Sequence, residues 1–204
     1  MAKPSWLITN PELSGSGNGT IKNSASEHTG RVARTGEVTV TAKGLETPKK
    51  YQVTQTPKEE FVEFTNGDNQ AVGKEGGQVV VTGKSNAKKL NFEWVGQVLD
   101  VTIPEKYTAN GSEATDDVDI PGDPGATSEY PFSITLQVPE NETVEAINRT
   151  LKVETDGGLS KQIVLAQTAG DPTLDVTPTE ITIPQAGTPA VDVTVTSNTS
   201  WTIS

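Results

Sequence analysis

Apolar and polar residues alternate along most of this chain, a pattern that is typical of β-strands with one buried face. The clearest alternating segments are Glu37–Thr41, Tyr51–Gln55, Val79–Thr82, Phe132–Val138, Leu151–Val153, Ile163–Leu165 and Val191–Val195. Clusters of Gly, Pro, Asn and Asp separate these segments, and such residues favour turns. No segment has a convincing helical period. The pattern therefore predicts an all-β fold of tandem immunoglobulin-like β-sandwiches.

A repeat divides the chain into three parts. Val79–Asn86 resembles Val191–Asn198, and Gln55-Thr56 recurs as Gln167-Thr168, in both cases 112 residues further on (191 minus 79, 167 minus 55). Two shorter matches are Arg34-Thr35 with Arg149-Thr150, and Gly44-Leu45 with Gly158-Leu159. We predict a complete immunoglobulin-like domain at residues 59–170, here called the middle unit. Residues 1–58, the N-terminal half, match its later strands, and residues 171–204, the C-terminal segment, match its first strands.

Composition excludes several classes of function. The 204 residues contain no cysteine and one histidine, and the formal net charge is -11. Thiolate metal sites, disulfides and cysteine nucleophiles are therefore absent, and the acidic balance argues against binding of nucleic acid. No residues form a recognisable catalytic or cofactor-binding motif, so we expect a protein that is not an enzyme and has no cofactor.

The N-terminus carries no apolar run of the length found in a secretory signal peptide. The other apolar runs span only a few residues, too few to cross a membrane. We therefore expect a protein that is made in the cytoplasm and has no membrane partner.

An acidic stretch at about residues 105–129 has the composition of a solvated insertion. Its carboxylates Asp116, Asp117, Asp119 and Asp123 are weak candidates for calcium ligands, because hard cations bind several oxygen atoms from one loop. The stretch lacks the spacing of an EF-hand, and we expect no metal site. His28 lies in a polar segment and is expected to be an exposed loop residue.

The three tryptophans are expected to be core residues, with stacking on sugars as the alternative. Trp94 shares one strand face with Leu90 and Phe92, which favours a place in the core of the middle unit. Trp6 and Trp201 each lie at the open edge of an incomplete unit, where they are expected to join the core of a completed domain.

The motifs of the two ends carry a resemblance to a known family. They are Trp6–Thr9, Gly15–Thr20, Arg34–Gly36 and Val53–Gln55 in the N-terminal half, and Leu174–Pro178 and Val193–Ile203 in the C-terminal segment. Together they resemble the BACON domain, an immunoglobulin-like module of Bacteroidetes proteins that is often attached to carbohydrate-active proteins. The middle unit is less similar, because it has the acidic stretch and no tryptophan after Ser85-Asn86.

Two incomplete units at the ends lead to a hypothesis about assembly. Half of a sandwich exposes apolar side chains and open strand edges, so neither end is expected to be stable alone. The C-terminal segment can stay unpaired, pair with the N-terminal half of its own chain, or complete that of another copy; we favour the last, which gives a homo-oligomer. The residues expected at this interface are Val191, Val193, Val195, Trp201, Ile203 and Trp6.

The resemblance implies a role that the residues do not specify. BACON-like modules are frequent in virion proteins of phages that infect Bacteroides, including crAss-like phages. The expected role is therefore a structural virion protein, in first place an auxiliary or decoration protein of the capsid that contacts the major capsid protein or another virion protein. The alternative is a carbohydrate-binding adhesin or fibre module, with glycans as partners.

Overall fold

The structure, a computed structural model, describes residues 3–11, 14–98, 100–187 and 189–204. The all-β prediction is confirmed: apart from a 3-10 helix at Pro124–Ala126, the regular elements of these residues are strands. No helix in this part of the chain is long and apolar enough to span a membrane. The strands are β1 Leu7–Asn10, β2 Lys22–Ala25, β3 Arg34–Val40, β4 Lys49–Gln55, β5 Val62–Phe64, β6 Asn69–Val72, β7 Gly77–Ser85, β8 Leu90–Trp94, β9 Lys106–Ala109, β10 Ser112–Thr115, β11 Tyr130–Val138, β12 Ile147–Thr155, β13 Ser160–Gln167, β14 Leu174–Thr177 and β15 Thr194–Ser197.

The strands from β5 to β13 form an immunoglobulin-like sandwich of two sheets. One sheet has the strand order β10-β9-β11-β7-β5 and the other has the order β6-β13-β12-β8. Adjacent strands are antiparallel except for β6 and β13, which are parallel. The domain boundaries at residues 58 and 170 stay predictions.

The core of the middle unit lies between these two sheets. Alternate residues of the long strands point into it, and Val81, Ile134 and Leu151 have no exposed surface. Phe92 contacts Tyr107 and Phe132 edge to face, with ring centroids 5.1 and 5.9 Å apart. Leu90 and Phe92 are buried, whereas Trp94 packs against the core while only partly buried and donates a hydrogen bond to Val101 O at 2.8 Å.

The acidic stretch is not the solvated insertion that its composition suggested. Residues 106–115 form the β9–β10 hairpin, and β9 also pairs with β11. Tyr107, Ala109 and Ala114 are buried in the core of the sandwich. The turn between the strands is Asn110-Gly111, with φ of 50° and 74°, and two positive φ values are what a tight hairpin turn requires. The polar residues of this hairpin lie on its outer face, so its high charge did not indicate a loop.

The N-terminal half consists of two strand pairs, β1–β2 and β3–β4, both antiparallel. It contacts one end of the middle unit through backbone hydrogen bonds from Arg31 N to Gly125 O and from Val32 N to Ala126 O, at 3.0 and 3.1 Å. Arg31 also forms an ion pair with Asp123.

The C-terminal segment contains the hairpin β14–β15 and contacts the other end of the middle unit. Asn198 Nδ2 donates a hydrogen bond to Glu142 O at 2.8 Å, and Lys74 forms an ion pair with Asp171. Strand β11 runs between the two ends, with Tyr130 near the N-terminal half and Val138 near the C-terminal segment. At about 3.3 Å per residue, its nine residues separate the two contacts by roughly 30 Å.

Candidate assembly surfaces at the two ends of the chain

The N-terminal half is an open sandwich with a small core of its own. Leu7 on β1 and Val38 on β3 are buried between its two strand pairs. Arg34 Nε donates a hydrogen bond to Gln55 Oε1 at 2.9 Å, and the Arg34 guanidinium lies 4.7 Å from the ring centroid of Trp6. Trp6, one of the predicted interface residues, is therefore half-buried under a cation and is not free to stack on a sugar.

A groove of about 590 Å³ lies between the two strand pairs of the N-terminal half. Its apolar lining includes Ile21, Val38 and Val40, and the remainder is formed mainly by Thr, Ser and Gly residues. Val40 is 41% exposed although it lies two residues from the buried Val38 on the same strand face. Strand β2, at the edge of the groove, has no buried residue. The groove is therefore the space that further strands occupy in a complete sandwich.

The C-terminal segment exposes the apolar residues that a sandwich would bury. Four of the predicted interface residues lie on its surface: Val191 is 40% exposed, Val193 38%, Trp201 48% and Ile203 88%. Val195, the remaining one in this segment, is half-buried. The exposed apolar surface also includes Leu174, Val176, Ile181 and Ile183. Among the described residues, no hydrogen bond or ion pair joins this segment to the N-terminal half of the same chain.

The hairpin β14–β15 repeats the pairing of β5 with β7 residue by residue. Val62 lies opposite Ser85, and Leu174 lies opposite Ser197, each position shifted by 112 residues (174 minus 62, 197 minus 85). The side-chain hydrogen bonds repeat as well. Ser85 Oγ donates to Phe61 O at 2.7 Å, and Ser197 Oγ donates to Thr173 O at the same distance.

One asparagine at each end of the middle unit makes the same three bonds. Asn86 Oδ1 accepts from Phe61 N at 2.9 Å, and its Nδ2 donates to Glu59 O and Thr29 O at 3.1 and 3.3 Å. It thereby ties the first strand, the linker and a loop of the preceding unit together, and it is fully buried.

Asn198 repeats this pattern at the other end. Its Oδ1 accepts from Thr173 N at 2.8 Å, and its Nδ2 donates to Asp171 O and Glu142 O at 2.9 and 2.8 Å. The repeated Ser-Asn pair in the sequence was a signal for these residues, although their role at the junctions was not predicted.

Strand β15 is shorter than the sequence predicted, and the repeat explains why. Val191–Val195 was the expected strand, but β15 begins at Thr194. The residues that correspond to 191–193 are Val79–Val81, which pair with β11 and not with β5. The C-terminal segment has no described counterpart of β11 beside it. Residues 191–193 therefore lie outside any strand because their neighbouring strand is missing.

The four aspartates named as weak metal ligands are not gathered around one point. Asp116, Asp117, Asp119 and Asp123 each pair with a different group. Their partners are, in that order, the backbone amide of Phe92 and the side chains of Lys89, Lys88 and Arg31. Burial raises the pKa of Asp116 above its ordinary value. The described residues contain no group of three or more metal-ligating side chains, and the aspartates instead hold the segment against its neighbours.

His28 was expected to be exposed, and this expectation is wrong. Its side chain is only 7% exposed, and Nε2 lies 2.7 Å from Val32 O. The polar residues around it indicated a loop, but this loop contacts the middle unit: Thr29 Oγ1 lies 3.2 Å from Ser128 Oγ. Packing between units therefore buries a residue whose local sequence is polar.

Comparisons with known proteins give no family for this chain. No family model matches it, and no curated protein matches it. Among solved structures, an endo-fucoidan hydrolase of glycoside hydrolase family 107 is 10% identical with a TM-score of 0.30, and the match covers 83% of this chain and 22% of the hydrolase. The chain thus spans about a fifth of the length of that protein.

A second solved structure is the BIgI domain of the beta protein from S. agalactiae bound to CEACAM1. It is 13% identical with a TM-score of 0.25, and the match covers 53% of this chain and 96% of that domain. Neither likeness is strong enough to support an argument about function.

Proposed function

We propose that this chain is a non-enzymatic structural protein whose copies join head to tail by exchanging strands. The C-terminal segment of one copy fills the groove in the N-terminal half of the next. The observation that carries this proposal is the complementarity of the two ends, because each exposes what the other lacks. The middle unit contains the strands of both ends and is closed.

Burial of the exposed apolar side chains supplies the driving force. Ile203 is 88% exposed and Trp201 48% exposed in the single chain. Full burial of a large apolar side chain contributes about 1.5–3 kcal/mol. Several such residues lie together on the C-terminal segment, and contiguous apolar patches of this kind mark interaction sites. A second copy offers a groove with an apolar lining for them.

The distance between the two ends favours pairing between copies over pairing within one chain. The N-terminal half and the C-terminal segment contact opposite ends of β11, roughly 30 Å apart. The linkers are short on both sides, since Lys58 N already bonds to Gly30 O and Gly170 N to Thr143 O. Self-closure would require these contacts at both ends to break.

A virion component is the role that we propose for such an assembly, in first place an auxiliary or decoration protein of a phage capsid. The support is the resemblance of the two ends to BACON modules, which occur in virion proteins of Bacteroides phages. The net charge of -11 suits binding to basic patches of a shell, and such binding weakens as salt is added. Mass spectrometry of purified particles tests this role, because a decoration protein is present in many copies and an adventitious protein is not.

Deletion of residues 172–204 tests assembly by strand exchange. We expect the full chain to form oligomers whose mean mass in solution rises with concentration, and the shortened chain to stay monomeric. The melting transition of the middle unit provides the control, since its two sheets do not include the deleted residues. A shortened chain with an intact transition and an unchanged oligomer mass would refute the proposal.

A further inference from the structure

The middle unit provides a template for the register in which two copies pair, an inference that rests on the proposed function. We infer that residues 191–197 of one copy lie antiparallel beside β2 of the next copy. Residues 201–203 lie antiparallel beside β3, and residues 181–183 lie parallel beside β4. These are the neighbours that complete each open edge of the N-terminal half.

The template follows from the strand order of the middle unit. There, β7 lies between β5 and β11, β12 pairs with β8 as well as with β13, and β13 pairs with β6. The C-terminal segment keeps the β5–β7 pairing in the form of β14–β15. The N-terminal half keeps the β12–β13 pairing in the form of β3–β4. The three pairings that join these two sets of strands are absent from both ends of the single chain as described.

Side-chain and backbone bonds support the correspondence of the N-terminal strands. Arg34 bonds to Gln55 at 2.9 Å, and Arg149 Nη1 bonds to Gln167 Oε1 at 2.8 Å. The following linkers also match, because Lys58 N donates to Gly30 O and Gly170 N donates to Thr143 O. The second pair of carbonyls is separated by 113 residues (143 minus 30), which sets the offset that relates β2 to β11.

The first pairing places opposite charges across from each other. In the middle unit, Thr135 on β11 lies opposite Val80 on β7. The offsets of 113 and 112 convert these positions to Lys22 and Asp192 (135 minus 22, 192 minus 80). Both side chains would point away from the core, as the exposed Val80 does. Directly opposed charges of opposite sign stabilise an antiparallel pair.

The second pairing brings the exposed aromatic residue into the groove. Leu90 and Phe92 on β8 lie opposite Thr155 and Val153 on β12. One residue fewer follows Asn198 than follows Asn86 before the alternation resumes, so Trp201 and Ile203 correspond to Leu90 and Phe92.

Their partners on β3 lie in the groove. Thr155 and Val153 correspond to Val40 and Val38, 115 residues earlier, as Arg149 corresponds to Arg34 (149 minus 34). Both valines line the groove, and Val40 is the one left 41% exposed.

The third pairing is supported by a repeated turn. Gly76 N donates to Gly73 O at 3.0 Å, and Gly187 N donates to Pro184 O at 2.8 Å, with positive φ at both amide glycines. This equivalence makes Ile183 the counterpart of Val72, which lies opposite Gln167 on β13. Ile183, which is 58% exposed in the single chain, is thereby buried beside Gln55.

Two single-cysteine variants test the register directly, because the natural chain has no cysteine. Lys22→Cys and Asp192→Cys are mixed and oxidised mildly in air, and the covalent dimer is measured on a non-reducing gel. Directly opposed strand residues lie within the Cα separation of a disulfide, about 4.4–6.8 Å. We expect a dimer in this mixture. The matched control is Lys22→Cys mixed with Asp175→Cys: Asp175 is an exposed acid on β14, two strands away from β2 in the proposed sheet and about 10 Å distant.

The outcomes separate the register from the assembly itself. Equal dimer yields in the two mixtures would overturn the register. An oligomer that persists without a dimer in the Lys22→Cys and Asp192→Cys mixture would also overturn it and leave head-to-tail assembly in place. A chain that stays monomeric at every concentration would overturn both. As a second readout, Lys22→Glu is expected to weaken association, and addition of Asp192→Lys is expected to restore it.

Discussion

Replacement of Trp201 by alanine should weaken the association of copies without unfolding the single chain. The side chain is 48% exposed in the structure and, on the proposed register, becomes buried in the groove beside Val40. A tryptophan buries about 150–250 Å² in a core, so the half that is now exposed amounts to roughly 100 Å². At about 25 cal/mol per Å², its loss costs about 2.5 kcal/mol, which is roughly a 70-fold weaker association constant.

Sedimentation equilibrium over a dilution series measures this constant for the natural chain and for the variant. Val118→Ala is the matched control, because Val118 is 51% exposed and lies in the middle unit away from both ends. We expect the control to associate like the natural chain, within a factor of about two to three. An association constant for Trp201→Ala within that same factor would contradict the proposed burial of this residue. A fall in the melting temperature of the monomeric variant would show instead that Trp201 stabilises its own chain.

Two further predictions concern the middle unit. Asn86→Ala leaves the buried Phe61 amide without its acceptor and removes two donated bonds, so the free energy of unfolding in urea should fall by about 2–4 kcal/mol; a change below about 0.5 kcal/mol would contradict the role of this junction. The hydrogen bond from Arg149 lowers the pKa of Asp100 below its ordinary 3.8, so Asp100 adds stability above that pH and loses it as the pH falls through the lowered value. Because Asp100 is 45% exposed, we expect Asp100→Asn to cost only about 1–2 kcal/mol at pH 7, and the difference from the natural chain, measured by urea unfolding, should shrink at pH 2.

Long alternating strands could be predicted from the sequence because their pattern has one dominant cause, burial of one face. Phe132–Val138 lies within β11, and Ile163–Leu165 lies within β13. The repeat also had a direct physical basis, since the pairing of Val62 with Ser85 recurs as that of Leu174 with Ser197. The groove could be anticipated only as missing strands, because its shape depends on how two strand pairs face each other.

Short strands and contacts between units could not be predicted in the same way. The β9–β10 hairpin has only four residues in each strand, and its acidic outer face hid the alternation of Tyr107, Ala109 and Ala114. The Asn110-Gly111 pair between them was a local signal for a hairpin. For His28 no local signal existed, because its burial depends on residues about a hundred positions away along the chain.

The asparagine junction has a geometric consequence. Asn86 and Asn198 bind the same three partners, so the linker leaves each end of the middle unit in the same way. An object that repeats one rotation and one translation at every joint has a single screw axis. Copies linked through these joints would therefore advance by two equal screw steps per chain, and a substitution at either asparagine would alter the pitch.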